Sequence, residues 1–180
     1  EEDVTLIARG PHLEAILSKG LTVKLPTAEE FNVKVKATND PGSIGTVDLI
    51  LFSVKTYDTD AAAELIRPMV DPHTVVSSVQ NGVDNGDRIE RAVGPGHFVL
   101  GATYINALVE QPGVIFLRAN NMTSFGETDG SVTPRVQQIV TVFQNAGIDV
   151  ALRKDMRSFL WEKFVAICCL GGAEMLARQP

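Results

Sequence analysis

Two hydrophobic patterns alternate along the chain. Short, almost continuous apolar runs are typical of strands buried on both faces of a parallel sheet, whereas apolar residues at helical spacing indicate amphipathic helices. The apolar runs predict strands at residues 4–8, 47–54, 75–79 and 148–152. The helical spacing predicts helices at residues 12–19, 58–70, 132–143 and 156–177.

Further strands are predicted where the pattern is less continuous. Residues 21–25 and 31–37 alternate polar and apolar positions as exposed or edge strands do, and strand-like segments follow at 98–107, 113–118 and 122–126. Strands that alternate with helices predict a mostly parallel, doubly wound α/β sheet. The helix at 156–177 is apolar on most sides, so we expect it to be buried against another part of the protein.

Composition narrows the classes of partner. The 180 residues are 44% hydrophobic and 21% charged, as in globular proteins, and the net charge of −6 argues against nucleic acid or an anionic membrane as the main partner. No apolar run approaches the roughly 20 residues that a membrane-spanning helix needs. The two cysteines, Cys168 and Cys169, are adjacent, so no metal site is predicted. A cytoplasmic protein is the resulting prediction.

Three candidate site residues stand directly after predicted strands. Arg9, Lys55 and the segment Gln80-Asn81-Gly82, which holds the candidate Asn81, each follow an apolar run. In parallel α/β sheets, ligands bind outside the carboxyl ends of the strands. We therefore expect these three side chains on the ligand edge.

Each of the three also has a simpler interpretation. The Arg9 guanidinium suits a ribose 2′-phosphate, but taken alone it is better interpreted as a solvated surface arginine. For Lys55, position alone supports two interpretations equally. Its ammonium binds a carboxylate or phosphate, or its side chain simply extends from a strand end into water. Asn81 heads an Asn-Gly pair, which most often forms only a turn.

Lys163 is the fourth candidate, in the otherwise apolar stretch LWEKFVAICCL. If its side chain points into a cleft, it can give a proton to an oxygen that gains negative charge; the alternative is an exposed stripe of the helix. Its neighbours Trp161, Phe164 and Val165 fit core packing better than chemistry. The two cysteines fit small buried apolar residues.

Seven segments in this order resemble the ketopantoate reductase (2-dehydropantoate 2-reductase) family: VTLIARG, DLILFSVKTYDT, SVQNGVDNGDRI, LGATYINA, QPGVI, SFGE and LWEKFVAI. The resemblance implies a Rossmann-type NADP-binding domain at residues 1–153 and the first helix of an all-helical C-terminal domain at 154–180. The family's first strand and glycine-rich loop have no counterpart in these residues. We therefore expect both domains to be incomplete relative to the family pattern.

The resemblance also implies an activity and roles for the four candidates. The activity is the NADPH-dependent reduction of a 2-oxo acid, ketopantoate or a related compound, as in pantothenate biosynthesis. Lys163 would be the catalytic acid, Arg9 would bind the 2′-phosphate of NADPH, and Lys55 and Asn81 would bind both substrate and cofactor. The implied partner is a small molecule, and a homodimer is left open.

Two positions depart from the family pattern. Members that act on ketopantoate commonly carry asparagines one and two helical turns beyond the lysine, where this chain has Ile167 and Gly171. Losing two amides bears on the substrate more than on the reaction type, since unmatched polar groups discriminate strongly. It leaves two alternatives open: a non-catalytic NADP(H)-binding or sensor module of the same fold, and a reductase for an unrelated carbonyl.

Overall fold

The computed structural model describes residues 2–178, in which strands and helices alternate. The strands are β1 (Thr5–Ile7), β2 (Leu21–Lys24), β3 (Glu30–Val33), β4 (Lys36–Thr38), β5 (Leu49–Phe52), β6 (Val75–Ser78), β7 (Phe98–Gln111), β8 (Val114–Gly126) and β9 (Val150–Leu152). The α-helices are α1 (Gly10–Lys19), α2 (Thr59–Ile66), α3 (Asn85–Val93), α4 (Pro134–Asn145) and α5 (Met156–Ala177). Short 3₁₀ turns lie at Pro41–Ser43, Thr56–Asp58 and Arg67–Met69.

The sheets are mostly parallel, as the alternation of strands and helices predicts. The large sheet has the order β3-β2-β8-β7-β6-β5, with β9 also paired to β8, and β1 pairs with β4 in a separate two-stranded sheet. Only the pairs β2–β3 and β7–β8 are antiparallel among the described residues. The carboxyl ends of β5 and β6 therefore lie side by side, as the candidate site requires.

Helices cover both faces of the large sheet. Neighbouring residues of a strand point to opposite faces. Val76 packs in one core with residues of α2, α3 and α5, whereas Val75 packs in a second core with residues of α4. This arrangement confirms the doubly wound α/β prediction.

A long hairpin joins the two ends of the large sheet. β7 and β8 turn at Pro112-Gly113, where the sequence predicts three separate strand-like segments. Three register shifts interrupt the pairing, and the start of β8 pairs with β2. Gly113 adopts a φ of 77° and donates its N–H to Nδ1 of His12 at 3.1 Å, which fixes the turn against α1.

Two further elements differ from the sequence predictions. The single strand predicted at 31–37 is two strands, β3 and β4, which belong to different sheets. The helix α3 is not predicted, because its polar sequence holds two turn-forming residues at its start, Asn85 and Gly86, and a single fully buried apolar side chain, Ile89.

Helix α5 has the predicted bounds but not the predicted burial. Its first two turns pack on the sheet, and from Phe164 to Arg178 the described residues are all exposed. The expected burial is therefore wrong for Trp161, Phe164, Val165, Cys168 and Cys169. Trp161 lies between the buried Leu160 and Lys163 but on the outer side of the helix, whereas the four later residues lie beyond the strands that the first turns contact. None of the helices within residues 2–178 has the length and apolar character to cross a bilayer.

Candidate active site

Lys163 is a buried charge at the centre of the candidate site. The first turns of α5 place Phe159 and Leu160 in the core, and one turn later Lys163 lies on the same side of the helix, 5% exposed. Its Nζ donates hydrogen bonds to Oδ1 of Asn81 at 3.1 Å and to the main-chain oxygen of Thr103 at 2.8 Å. Both acceptors are uncharged.

This environment makes Lys163 a better proton donor than an ordinary lysine. Burial disfavours the charged ammonium and lowers the pKa of Lys163. The ring of Tyr104 lies 5.2 Å from Nζ. An ammonium has three N–H donors, and the two bonds above use two of them. The third can therefore point to a ligand.

Asn81 is held by a turn, and its side chain contacts Lys163. It follows β6, and the next residue, Gly82, has a φ of 109°, which favours glycine. The main-chain oxygen of Asn81 accepts a hydrogen bond from Nδ2 of Asn85 at 3.0 Å. The Asn-Gly turn therefore exists, and it aims the Asn81 amide at Lys163, 82 residues further along the chain.

Lys55 lies on the same edge but does not contact the other two candidates. It follows β5 and is exposed, with none of the hydrogen bonds among residues 2–178 reaching Asn81 or Lys163 from its amine. The loop around it is firmly held: Arg88 of α3 donates to the main-chain oxygen of Thr56 at 2.9 Å and to both carboxylate oxygens of Asp60 at 3.0 and 2.9 Å. The Lys55 amine is therefore open to solvent on a fixed backbone.

Gln80, which the sequence places on the ligand edge beside Asn81 without assigning it a role, is a further residue of this site. It is 7% exposed, and its Nε2 donates to the main-chain oxygen of Val54 at 2.7 Å and to Oγ1 of Thr59 at 3.0 Å. Its Oε1 accepts from Oγ of Ser78 at 2.9 Å. The available signal was a long polar side chain directly between an apolar strand and the candidate Asn81.

Arg9 lies apart from this group. It follows β1 at the N-cap position of α1, and its exposed side chain makes no hydrogen bond or ion pair within the described part of the chain. β1 belongs to the two-stranded sheet, whereas Asn81 follows a strand of the large sheet. Within residues 2–178, no hydrogen bond or ion pair joins Arg9 to Lys163 or Asn81. The structure thus brings Asn81 and Lys163 together, sets Lys55 near the same edge and leaves Arg9 on a separate strand end.

Comparison with known proteins identifies relatives of this chain. The sequence profile of the family described as "Ketopantoate reductase PanE/ApbA" matches residues 1–130. A 2-dehydropantoate 2-reductase of Pyrococcus abyssi is 34% identical over 164 residues, covering 91% of this chain and 53% of the relative. The crystal structure of 2-dehydropantoate 2-reductase from Porphyromonas gingivalis W83 is similar with a TM-score of 0.91 and 31% identity, covering 99% of this chain and 63% of that one.

A more distant similarity extends to D-mandelate dehydrogenase, in a ternary structure with NADH and anilino(oxo)acetate. At 19% identity and a TM-score of 0.78, it shows the fold alone, and it covers 89% of this chain and 52% of that chain. The chain thus spans 52% to 63% of the length of these three relatives. The reductase structures confirm the Rossmann-type fold. With the profile matching most of its length, the chain belongs to the ketopantoate reductase family.

Proposed function

We propose that this chain carries the catalytic lysine of an NADPH-dependent reductase that converts a 2-oxo acid, ketopantoate or a close analogue, into the 2-hydroxy acid. The observation that carries the proposal is the hydrogen bond from Nζ of Lys163 to Oδ1 of Asn81. It joins two residues to which the family resemblance assigns a role, and it does so at the carboxyl edge of a parallel sheet.

The chemistry required of the protein is delivery of a proton and stabilisation of negative charge. Reduction of a keto carbon turns its oxygen into an alkoxide, which must be protonated. NADPH, when bound, supplies the hydride. Lys163 holds the proton at Nζ, stabilises the developing negative charge and, once the proton has moved to the alkoxide oxygen, remains as a neutral amine. Burial favours the neutral amine, so the lowered pKa of Lys163 assists this transfer.

Arg9 and Lys55 suit the anionic parts of cofactor and substrate. Both are exposed cations that follow strands, and neither is neutralised by a carboxylate within residues 2–178. A guanidinium can bind two oxygens of a 2′-phosphate, and an ammonium can bind a carboxylate. We assign Arg9 to the cofactor and Lys55, together with Asn81, to the cleft shared by cofactor and substrate.

The deciding experiment is NADPH oxidation by the full-length protein, with ketopantoate and simpler 2-oxo acids offered in parallel and the products identified by mass spectrometry. We expect turnover to the 2-hydroxy acid. Turnover with ketopantoate also shows that Ile167 and Gly171 are tolerated in place of the family's asparagines. Absence of turnover on all the 2-oxo acids contradicts the proposal.

The cofactor assignment has its own test. Arg9→Ala should raise the KM for NADPH about tenfold or more and leave the KM for NADH unchanged, because only NADPH carries the phosphate and a charge-assisted hydrogen bond contributes roughly 1.5–3 kcal/mol. Lys19→Ala, at the exposed other end of α1, is the matched control. An equal effect of Arg9→Ala on both cofactors would contradict the assignment.

A non-catalytic NADP(H)-binding module is the second candidate function. Two positions favour it: Ile167 is an exposed apolar residue, and Gly171 has no side chain, so neither offers a hydrogen bond to a hydroxylated substrate. Saturable NADPH binding in a fluorescence titration, without turnover of any carbonyl compound, would select this function over the reductase.

A further inference from the structure

We infer that Gln80 is a positioning residue, which holds the loop of Lys55 and the loop of Asn81 at a fixed separation; the inference rests on the proposed reductase function. Gln80 is adjacent to Asn81 in sequence, and its side chain bonds the residue adjacent to Lys55. One amide thus connects the two loops that carry the site's polar groups.

The side chain of Gln80 takes over where the strand ladder ends. β5 and β6 pair in register up to Phe52 and Ser78, and the N–H of Val79 makes one more main-chain bond, to the oxygen of Phe52 at 3.1 Å. Beyond this point, the side chain of Gln80 connects the two loops: its Nε2 donates a hydrogen bond to the main-chain oxygen of Val54 at 2.7 Å.

The amide of Gln80 is fully used, which makes it rigid. Both protons of Nε2 have acceptors, Val54 and Thr59, and Oε1 accepts from Ser78. The main-chain N–H of Gln80 also donates to Oγ of Ser78, at 3.2 Å. A buried, fully satisfied polar network specifies a single arrangement, and breaking it leaves buried groups unpaired.

The consequence reaches Lys163 through the backbone. Asn81 supplies one of the two acceptors that orient Nζ, so a shift of the 79–82 segment moves the proton donor relative to the Lys55 loop. A misplacement of about 1 Å can lower a rate by about 10²-fold. Gln80 itself contacts none of the proposed reacting groups, so its effect is on position alone.

Thr74 offers a matched control at the opposite end of the same two strands. It is 2% exposed, precedes β6 and donates from Oγ1 to the oxygen of Val47, ahead of β5, at 2.6 Å. Its hydroxyl also accepts from the N–H of Asp71 at 3.0 Å. Thr74→Val therefore removes an equivalent buried link far from the candidate site.

The test compares Gln80→Met and Thr74→Val in the full-length protein with NADPH and ketopantoate. Both variants should lose thermal stability, but only Gln80→Met should also lower kcat with ketopantoate, by about 10²-fold. The inference is overturned if Gln80→Met keeps wild-type kcat, or if Thr74→Val lowers kcat equally.

Amide hydrogen exchange separates failure of this inference from failure of the proposed function. Without any substrate, Gln80→Met should speed exchange at residues 54–59 and 79–85 together, and Thr74→Val should leave both segments unchanged. If the wild-type protein reduces no 2-oxo acid but Gln80→Met speeds exchange in both segments, the proposed function fails and the inference about Gln80 stands. If exchange in the two segments does not respond to Gln80→Met, the inference fails whatever the activity.

Discussion

Two buried charges of this fold, Glu127 and Lys163, are accommodated in opposite ways. Glu127, directly after β8, is 4% exposed, and its carboxylate accepts hydrogen bonds from Nε and Nη2 of Arg135 at 2.7 and 2.6 Å and from the hydroxyl of Thr133. Lys163, 5% exposed, bonds only the neutral oxygens of Asn81 and Thr103. Burial is the same, but one charge is paired and the other is not.

The difference appears in the pKa of each group. Burial by itself raises the pKa of Glu127, but the hydrogen bonds from Arg135 and Thr133 outweigh it, so this pKa lies below its ordinary value. Burial lowers the pKa of Lys163, and no carboxylate recorded within residues 2–178 opposes it. A paired buried charge keeps its proton state and holds structure together, whereas an unpaired one is ready to exchange a proton.

Replacing Lys163 should have the largest effect, and the effect should be on catalysis. Lys163→Met in the full-length protein should lower kcat about 10³-fold, because general acid catalysis contributes 10²–10⁴-fold. Stability should not fall, since below its lowered pKa the buried ammonium costs desolvation energy, which methionine removes. NADPH oxidation and urea unfolding measure the two quantities.

Lys154→Met is the control for that experiment, because Lys154 is an exposed lysine just before α5. It should leave both kcat and stability near the wild-type values. Retention of turnover by Lys163→Met would remove Lys163 from the mechanism, and another group would have to supply the proton.

Replacing Glu127 should have the reverse effect, a loss of stability without a loss of chemistry. Breaking a buried ion pair costs roughly 3–5 kcal/mol, and because Arg135 is one-third exposed and glutamine keeps one acceptor, we expect about 2 kcal/mol for Glu127→Gln. Urea unfolding measures it. Glu64→Gln, in the exposed Glu64–Arg67 pair, should cost about 0–1 kcal/mol. Equal losses in the two variants would show that burial does not strengthen the Glu127 pair.

Giving Lys163 a charged partner should stabilise its charged form, as Arg135 does for Glu127. Asn81→Asp places a carboxylate at the position that Oδ1 now occupies, 3.1 Å from Nζ, and a nearby opposite charge raises a lysine pKa by about one unit or more. The acid form would then persist to higher pH. The alkaline limb of the kcat profile should move upward by about one pH unit, with a lower plateau. A limb that stays in place would show that Lys163 is not the titrating acid.

The same contrast marks what could be predicted from the sequence. Strand-end position indicated Asn81, an isolated charge on an apolar helix indicated Lys163, and the family resemblance implied a role for both. The contact between them depends on how α5 crosses the hairpin, which no periodicity encodes. Likewise, the apolar character of α5 predicted burial, but hydrophobic spacing does not say whether another surface covers Phe164 or Cys168. Gln80 was placed on the ligand edge but given no role, because its partners, Val54 and Thr59, are brought to it by strand pairing rather than by sequence spacing.

Lowering the pH should reduce the contribution of Glu127 to the free energy of unfolding, and this is the smallest of the expected effects. A carboxyl with a lowered folded pKa contributes stability above its unfolded pKa, about 4.3, and that contribution is lost as pH falls through the folded value. The difference in unfolding free energy between wild type and Glu127→Gln should therefore shrink from about 2 kcal/mol as pH falls below about 5. The difference for Lys163→Met should change only between the lowered pKa of Lys163 in the folded protein and the ordinary lysine value, and should stay constant below both, where the lysine is protonated in the folded and unfolded states. A constant difference for Glu127→Gln would mean that its carboxylate is not stabilised by Arg135 in solution.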